Sequence, residues 1–562
     1  MRVSPILLKP TYSRNCYQRD GAAQVGIARK MFLDMKRPPS MRLVLLFVLA
    51  APVLALAGQG PSSSQAAGTG APWRVLKGEL TRAAYEHYTE VPFDLPIGVK
   101  RLTIRFSYGG KEQHSVIDLG LRDPQRFRGW SGGTRDRLTL STEDATPGYL
   151  PGPLPAGRWN LILGAPDIRE SARVPYEAQI FIEREPTVTE FADTPISAKP
   201  GWYRGDLHMH SGESDGRCKA QSGASVPCPV YRVVEAAAAR GLDFIALSDH
   251  NTTAHFNELR ELQGAFDRML LVPGREITTF WGHSNVFGPT DFLDFRMTGP
   301  TWDQARKWMD AVHREGGIVS INHPGAPSGE ICMGCGWQVD GLPVGVADSV
   351  EVVNGGTMRM TMSPESSLQG FAYWTKLLNA GWHITGIGGS DSHEIVPPAM
   401  RGAIGSPTTV VYMSELSVRG FLAGVRSGRA FIDVDGTRDR FLDLSASAGG
   451  QRVAMGQTLH LSRGDAVRFS VDLKGVPRGI VQLVIDGRAE PSYRAMIRAG
   501  DPSAFMSWRS DGRRHWVRAD VRDDEGRLLL IGNPIYVAPE TRSDSTMSLA
   551  SGPGAANQKR RL

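Results

Sequence analysis

Long apolar runs are almost missing from this chain. Residues 43–57, LVLLFVLAAPVLALA, form the one such stretch. Elsewhere nothing approaches the roughly 18 apolar residues that a membrane-spanning helix needs, which argues against a multi-span membrane protein. Charge of one sign is scarce as well. The formal net charge is +6, from 64 Lys+Arg against 58 Asp+Glu. Nine of the bases and only two of the acids fall within residues 1–42, so the rest of the chain stands at −1, with 55 bases and 56 acids. No field that would gather a polyanion follows, and a nucleic-acid partner is not expected. No internal repeat is evident, and cysteine is rare: Cys16, then Cys218, Cys228, Cys332 and Cys335.

What is present begins with an export signal. The apolar run follows Lys36, Arg37 and Arg42 and ends Ala55-Leu56-Ala57 before Gly58. A basic start, a short apolar middle and an A-x-A end are expected to form a signal peptide at about residues 35–57, cleaved rather than kept as an anchor. A secreted or periplasmic protein is therefore expected, with no membrane span after cleavage. In an oxidising compartment the four remaining cysteines are expected as two local disulfides, Cys218 with Cys228 and Cys332 with Cys335; a zinc site is the alternative.

The chemistry gathers around Arg204 to Gly216, RGDLHMHSGESDG, where an apolar approach ends in His208 and His210 and Asp215 follows. Two histidines two residues apart at a strand end point to the same side and can share one metal ion, although surface strands carry the same pattern by chance. The chain then repeats the device. Leu242 to Leu247 leads into Ser248-Asp249-His250-Asn251, and Leu270 to Gly274 leads into Glu276, with His283 opening the next extended piece. Ile318 to Ile321 leads into Asn322-His323-Pro324, and Ile384 to Gly389 leads into Ser390-Asp391-Ser392-His393. Short apolar runs of this kind read as buried parallel strands with helices between them, so the ligand-type residues collect at strand carboxyl ends. Val230–Arg240, Trp302–Arg314, Leu368–Leu378 and Phe421–Gly428 are the expected helices.

The set LHMH, SDG, SDHN, GREIT, GHSN, NHP and GGSDSH, in that order over residues 200–432, resembles the polymerase and histidinol phosphatase (PHP) metallohydrolases, in particular their exported CehA/McbA-type branch. The resemblance implies a distorted TIM-like (β/α)7 barrel holding two or three divalent ions, Zn, Mn or Fe. It implies His208, His210, Glu276 and Asp391 around one ion, Glu276 bridging to a second held by His283 and His323, and Asp215, His250 and His393 around a third. Many members have a histidine where this chain has Asp215, which leaves open whether the third position fills only with substrate. Glu276, Asp391, His250 and Asp215 are the expected catalytic groups.

On either side of the expected barrel the pattern changes. After a linker at residues 58–73, residues 74–190 show short alternating segments such as Leu102–Phe106 and Trp159–Leu163 between glycine and proline turns, an expected β-sandwich. Residues 440–538 return to short strands, an expected second sandwich, and residues 540–562 read as a disordered tail.

Carboxylates set among neutral imidazoles suit paired cations, and water beside such cations ionises near neutral pH, so hydrolysis is the natural reaction. A small-molecule ester is the expected substrate, most naturally a phosphoester with a nucleotide or aryl group; carbamate or carboxyl-ester hydrolysis is the alternative. A non-catalytic exported binding protein is a further alternative. Gly212-Glu213-Ser214-Asp215-Gly216 also matches the G-x-S-x-G elbow of serine hydrolases, but no helix pattern follows it directly. His255 and His313 are expected to be packed or solvated, and Asp206 and Asp249 to support neighbouring histidines. Arg275, Asn251, Asn322 and Ser392 are open between substrate contact and holding loops. Trp337, in the expected loop 328–346, is open between a stacking platform and packing, and residues 355–366 are expected as a second long loop.

Overall fold

The computed structural model describes residues 71–540, apart from residues 134, 185–193, 330, 331, 333, 342–344, 346, 398 and 499. The expected leader and signal peptide, most of the 58–73 linker and the tail beyond residue 540 lie outside the described residues.

Alternation of apolar and polar residues builds the first layers. In the strand Gly157–Asp167, Trp159, Leu161 and Leu163 are buried while Asn160 and Ile162 are only half-buried. This period of two turns one face inward. The strand lies in an antiparallel sheet with Tyr88–Leu95, Val116–Arg122 and Phe127–Gly132. A second antiparallel sheet joins Arg74–Leu80, Val174–Glu183, Arg101–Tyr108 and Arg137–Ser141. Leu102, Ile104 and Ile180 from one sheet share a core with Leu119, Leu121 and Trp159 from the other.

The middle of the chain forms a curled sheet in the strand order Thr385–Gly389, Ser349–Asn354, Ile318–Ile321, Gly282–Phe287, Leu270–Thr279, Phe244–Leu247, Gly201–Asp206. The curl brings its ends together. Asp391 N donates to His208 O at 2.7 Å, and His210 N donates to Ser392 O at 3.0 Å. The residues that follow the first strand are thus paired with those that follow the last, at the end where the ligand-type residues lie.

This is mixed, sheet-rich architecture rather than the regular strand–helix alternation expected, with 44% strand against 14% helix among the described residues. The physical reason is local. Only Phe280 and Trp281 separate Leu270–Thr279 from Gly282–Phe287, too short a link for a parallel crossover, so the two strands pair antiparallel with Thr278 opposite His283. Four expected helices are present as Val230–Ala239, Trp302–Arg314, Phe371–Asn379 and Val418–Arg426, with His255–Leu262 between two of them. Residues 355–361, expected as loop, form the helix Gly355–Thr361, capped by Asn354, whose side chain accepts from Thr357 N.

From Gly201–Asp206 the sheet also runs outward through Thr408–Met413 and Ala430–Asp433 to Leu528–Gly532, His515–Arg522, Gly479–Ile485 and Arg488–Ile497. One layer of the C-terminal β structure is therefore an extension of the central sheet. The other is the antiparallel set Gln451–Ala454, Phe441–Ala448, Ala466–Lys474 and Ser503–Arg509. Phe431, Phe469, Leu483, Val517 and Leu530 fill the space between them, each worth about 1.5–3 kcal/mol when fully buried. No helix among the described residues is long and apolar enough to cross a membrane.

Candidate metal centre

The site is built on strand ends. Asp206 closes the Gly201–Asp206 strand, and its buried carboxylate accepts from the backbone N–H groups of His208, Ser390 and Gly405. That fixes where the chain emerges, and the next residues place His208 and His210 with ring centroids 5.2 Å apart. Glu276 comes up from Leu270–Thr279 and is 1% exposed. His283 reaches it from the antiparallel neighbour, with Nδ1 3.4 Å from Glu276 Oε1. His323 Nε2 lies 3.3 Å from the same oxygen. His250 Nδ1 lies 2.9 Å from Glu276 Oε2. Asp391 Oδ1 lies 3.3 Å from His208 Nε2 and 3.1 Å from His210 Nε2.

All nine residues expected as ligands thus come to one place, and eight of them fall into three sets whose donor atoms lie within 4.8 Å of one another: His208, Glu276 and His323; His208, His210 and Asp391; and His210, Asp215, His250 and His393. The grouping differs in detail from the expected one. His208 and His210 each belong to two sets, and His283 joins through Glu276. The third set is the accessible one, with Asp215, His393 and His250 side chains 55%, 37% and 24% exposed. Backbone strain gathers here too, since Asn251, His323 and Asp391 have φ of 52°, 26° and 51°, in or near the left-handed region.

The donor set fits divalent cations. His208 Nε2 and His283 Nε2 are buried without a hydrogen-bond partner among the described residues, an arrangement that would be costly unless something else takes their lone pairs. The electrostatics point the same way. Burial opposes a charge on His208, but Asp391, Glu276 and Glu351 outweigh it and hold the imidazole well above its usual pKa. Burial likewise opposes charge on His323 and His393, yet Glu276 and Asp391 raise the first to about 9 and Asp215 raises the second to about 9. Burial would push Glu276 and Asp391 up, and the surrounding imidazoles instead hold both well below the carboxylate range. His210 goes the other way, lowered to about 4 by burial. The centre demands positive charge, and without ions only protons on its own histidines can supply it.

A second layer of residues fixes the ring nitrogens. Glu351 Oε1 lies 3.0 Å from His208 Nδ1, while Oε2 accepts from His323 N at 3.0 Å. Asn354 Nδ2 donates to Glu351 Oε2 and to Asp391 Oδ2, at 3.0 and 3.1 Å. Thr278 Oγ1 lies 2.6 Å from His250 Nδ1, and His323 Nδ1 donates to Cys335 O at 2.8 Å. Partners of this kind select the tautomer and leave the other nitrogen for an ion. Glu351 and Asn354 lie outside every motif in the sequence. The signal for Glu351 is a carboxylate inside an apolar strand, Ser349–Asn354, where a charge needs a partner.

The remaining candidates resolve as follows. Asn322 Nδ2 donates to Glu276 Oε1 at 2.9 Å, and Asn251 pairs with both backbone groups of Thr278, so each holds the site. Ser392 Oγ donates to Glu394 O. Arg275 is buried and donates to the carbonyls of Pro289 and Asp291. His255 packs with Nε2 on Gly274 O, and His313 pairs with Asp348 at 2.7 Å. Asp249 accepts from Ser211 and Ser214. Ser214 Oγ donates to that carboxylate at 2.6 Å, and the strand Arg217–Lys219 follows in place of a helix, so the serine elbow is not formed. Trp337 is half-buried and packs against Gly282, where an added Cβ would lie 2.4 Å from its ring.

Cys332 and Cys335 stand within reach of the expected disulfide, with Cα atoms 5.6 Å apart. Cys218 and Cys228, expected as a second disulfide, are buried free thiols. Their hairpin pairs Cys218 with Val226, and the Cys218 and Cys228 thiols still meet across it.

No protein-family model matches the chain, and no curated protein matches it. Among solved structures, a proposed metal-dependent phosphoesterase from Bifidobacterium adolescentis is 21% identical, over 34% of this chain and 87% of that one, with a TM-score of 0.24.

Proposed function

We propose that this chain is an exported, divalent-metal-dependent hydrolase of the PHP type, acting on phosphoesters. The observation that carries the reading is the convergence of three carboxylates and five imidazoles into overlapping ligand sets, with His283 against Glu276 beside them. His208, His210, Glu276 and Asp391 would hold one ion, Glu276, His283 and His323 a second, and Asp215, His250 and His393 a third. Residues 200–432 would be the catalytic PHP barrel, and the flanking β structures would support or target it. Zinc, manganese and iron all suit this mix of imidazole and carboxylate.

When bound, such ions lower the pKa of water toward neutrality and stabilise charge on a phosphoryl oxygen. The chain's own residues supply the rest. Glu276 is held by Asn322 and ringed by five histidines, which restrict its carboxylate. Asp391 is fixed through Asn354. Asp215 and His250 lie at the exposed edge, and with no ion at the third position either could pass a proton to the departing oxygen.

The test is elemental analysis of the purified protein combined with hydrolysis of p-nitrophenyl phosphate, bis-p-nitrophenyl phosphate and a naphthyl carbamate, before and after chelation. Two or three ions per chain and chelator-sensitive turnover of a phosphate ester support the reading. Turnover of the carbamate alone would move the bond type, and bound metal with no turnover would favour a binding protein.

A further inference from the structure

We infer that Arg217 and Arg359 form a subsite for a second anionic group on the substrate, beside the metal-type centre; this rests on the phosphoesterase reading and deepens it. The two arginines line a cavity of about 310 Å³ together with Asp391, Ser392, His393 and Glu394. One wall of this space is therefore the centre itself, and the other is cationic.

The backbone holds both arginines in place. Arg217 N donates to His393 O at 2.7 Å, and Arg217 bridges in parallel to Glu394, so its position is locked to the loop that carries two of the candidate ligands. Arg359 lies on the helix Gly355–Thr361, whose second residue, Gly356, is so close to Asp391 that an added Cβ would lie 3.2 Å from its carboxylate. Gly402, at φ +72°, lies against the start of the same helix, where an added Cβ would come within 2.9 Å of Gly355 O.

Of the two carboxylates that line the cavity, Asp391 is engaged by the centre, 3.3 Å from His208 Nε2 and 3.1 Å from His210 Nε2. Glu394 lies 3.7 Å from Arg359, with both side chains about half exposed, a weak pair. The Arg217 guanidinium has no hydrogen-bond or ion-pair partner among the described residues. Two guanidiniums face one carboxylate on that wall, and guanidinium is the side chain best shaped to take a carboxylate or phosphate through paired N–H donors. A substrate whose scissile group sits on the ions would extend its other end into this space. Its class is an ester bearing a further carboxylate or phosphate on the leaving-group side.

The experiment compares phenyl phosphate with 4-carboxyphenyl phosphate as substrates of the metal-loaded protein, and benzylphosphonate with 4-carboxybenzylphosphonate as non-hydrolysable ligands in calorimetry. The expected result is tighter binding and lower KM for the carboxylated member of each pair, with the preference falling at least fivefold in Arg217→Met and in Arg359→Met. Equal losses on both members would place the arginines on the scissile phosphate and overturn the subsite. So would a wild-type protein with no preference. If neither ester is hydrolysed, the phosphoesterase reading fails, while calorimetry still decides the subsite: a carboxylate preference that the arginine variants lose supports it, and none overturns it.

Discussion

Glu351 Oε1 stands 3.0 Å from Nδ1 of His208, behind the imidazole and away from the other ligands. With Nδ1–H donated to that carboxylate, the Nε2 lone pair faces Glu276 and Asp391, 3.4 and 3.3 Å away. Glu351→Gln keeps the shape and removes the charge. Metal affinity is expected to fall about 10- to 100-fold, the usual cost of losing such a partner. Equilibrium dialysis with metal-buffered solutions measures it, and far-UV circular dichroism checks the fold. Unchanged affinity would show that Glu351 serves only packing.

The three ligand sets differ in depth, and so should their loss. Asp215 is more than half exposed and touches only the third set, whereas Glu276 is buried at the junction of several histidines. Asp215→Asn is expected to lower metal content by about one ion and leave the deeper ions bound. Glu276→Gln should remove at least two and reduce turnover by several orders of magnitude. Equal stoichiometries for the two variants, by elemental analysis, would refute the nesting.

Ser214 lies in a motif that promises a nucleophile, yet its hydroxyl donates to Asp249 at 2.6 Å and serves to hold the 211–216 turn. Ser214→Ala should retain turnover within a few-fold. An inactive variant that still carries its metals would restore the serine mechanism.

Most of the ligands were legible because they follow a short apolar run, and the run itself names the strand end on which the ligand sits. His283 was legible as a ligand, but the direction of its strand was not. That depends on a two-residue link, Phe280-Trp281, whose consequence is a matter of reach rather than pattern. Glu351 was hidden for the opposite reason: in Ser349-Val350-Glu351-Val352-Val353-Asn354 it reads as one polar residue in a strand, and only the fold brings His208 against it. The extension of the central sheet through Ala430–Asp433 into Leu528–Gly532 joins residues about a hundred positions apart, which no local periodicity encodes.

Asp433 provides a test of stability away from the metal-type centre. Its carboxylate is fully buried on the strand Ala430–Asp433, accepts from Thr437 Oγ1 at 2.7 Å, and faces Arg204 at 3.4 Å and Arg440 at 3.7 Å. Burial raises its pKa from 3.8 to about 6, and Thr437 and the two arginines offset that only in part. The folded state therefore holds this proton more tightly than the unfolded state does. Asp433's contribution is fully present below pH 3.8 and is lost as pH rises through about 6. Over that window the loss is about 3 kcal/mol, at about 1.4 kcal/mol per pH unit. Asp433→Asn cannot titrate, so urea unfolding at intervals from pH 4 to pH 7 should show the wild type losing about that much relative to the variant, whatever other groups add to both curves. Parallel curves would mean that Arg204 and Arg440 keep Asp433 ionised throughout, and that the buried cluster is an ion pair in the folded protein even at pH 4.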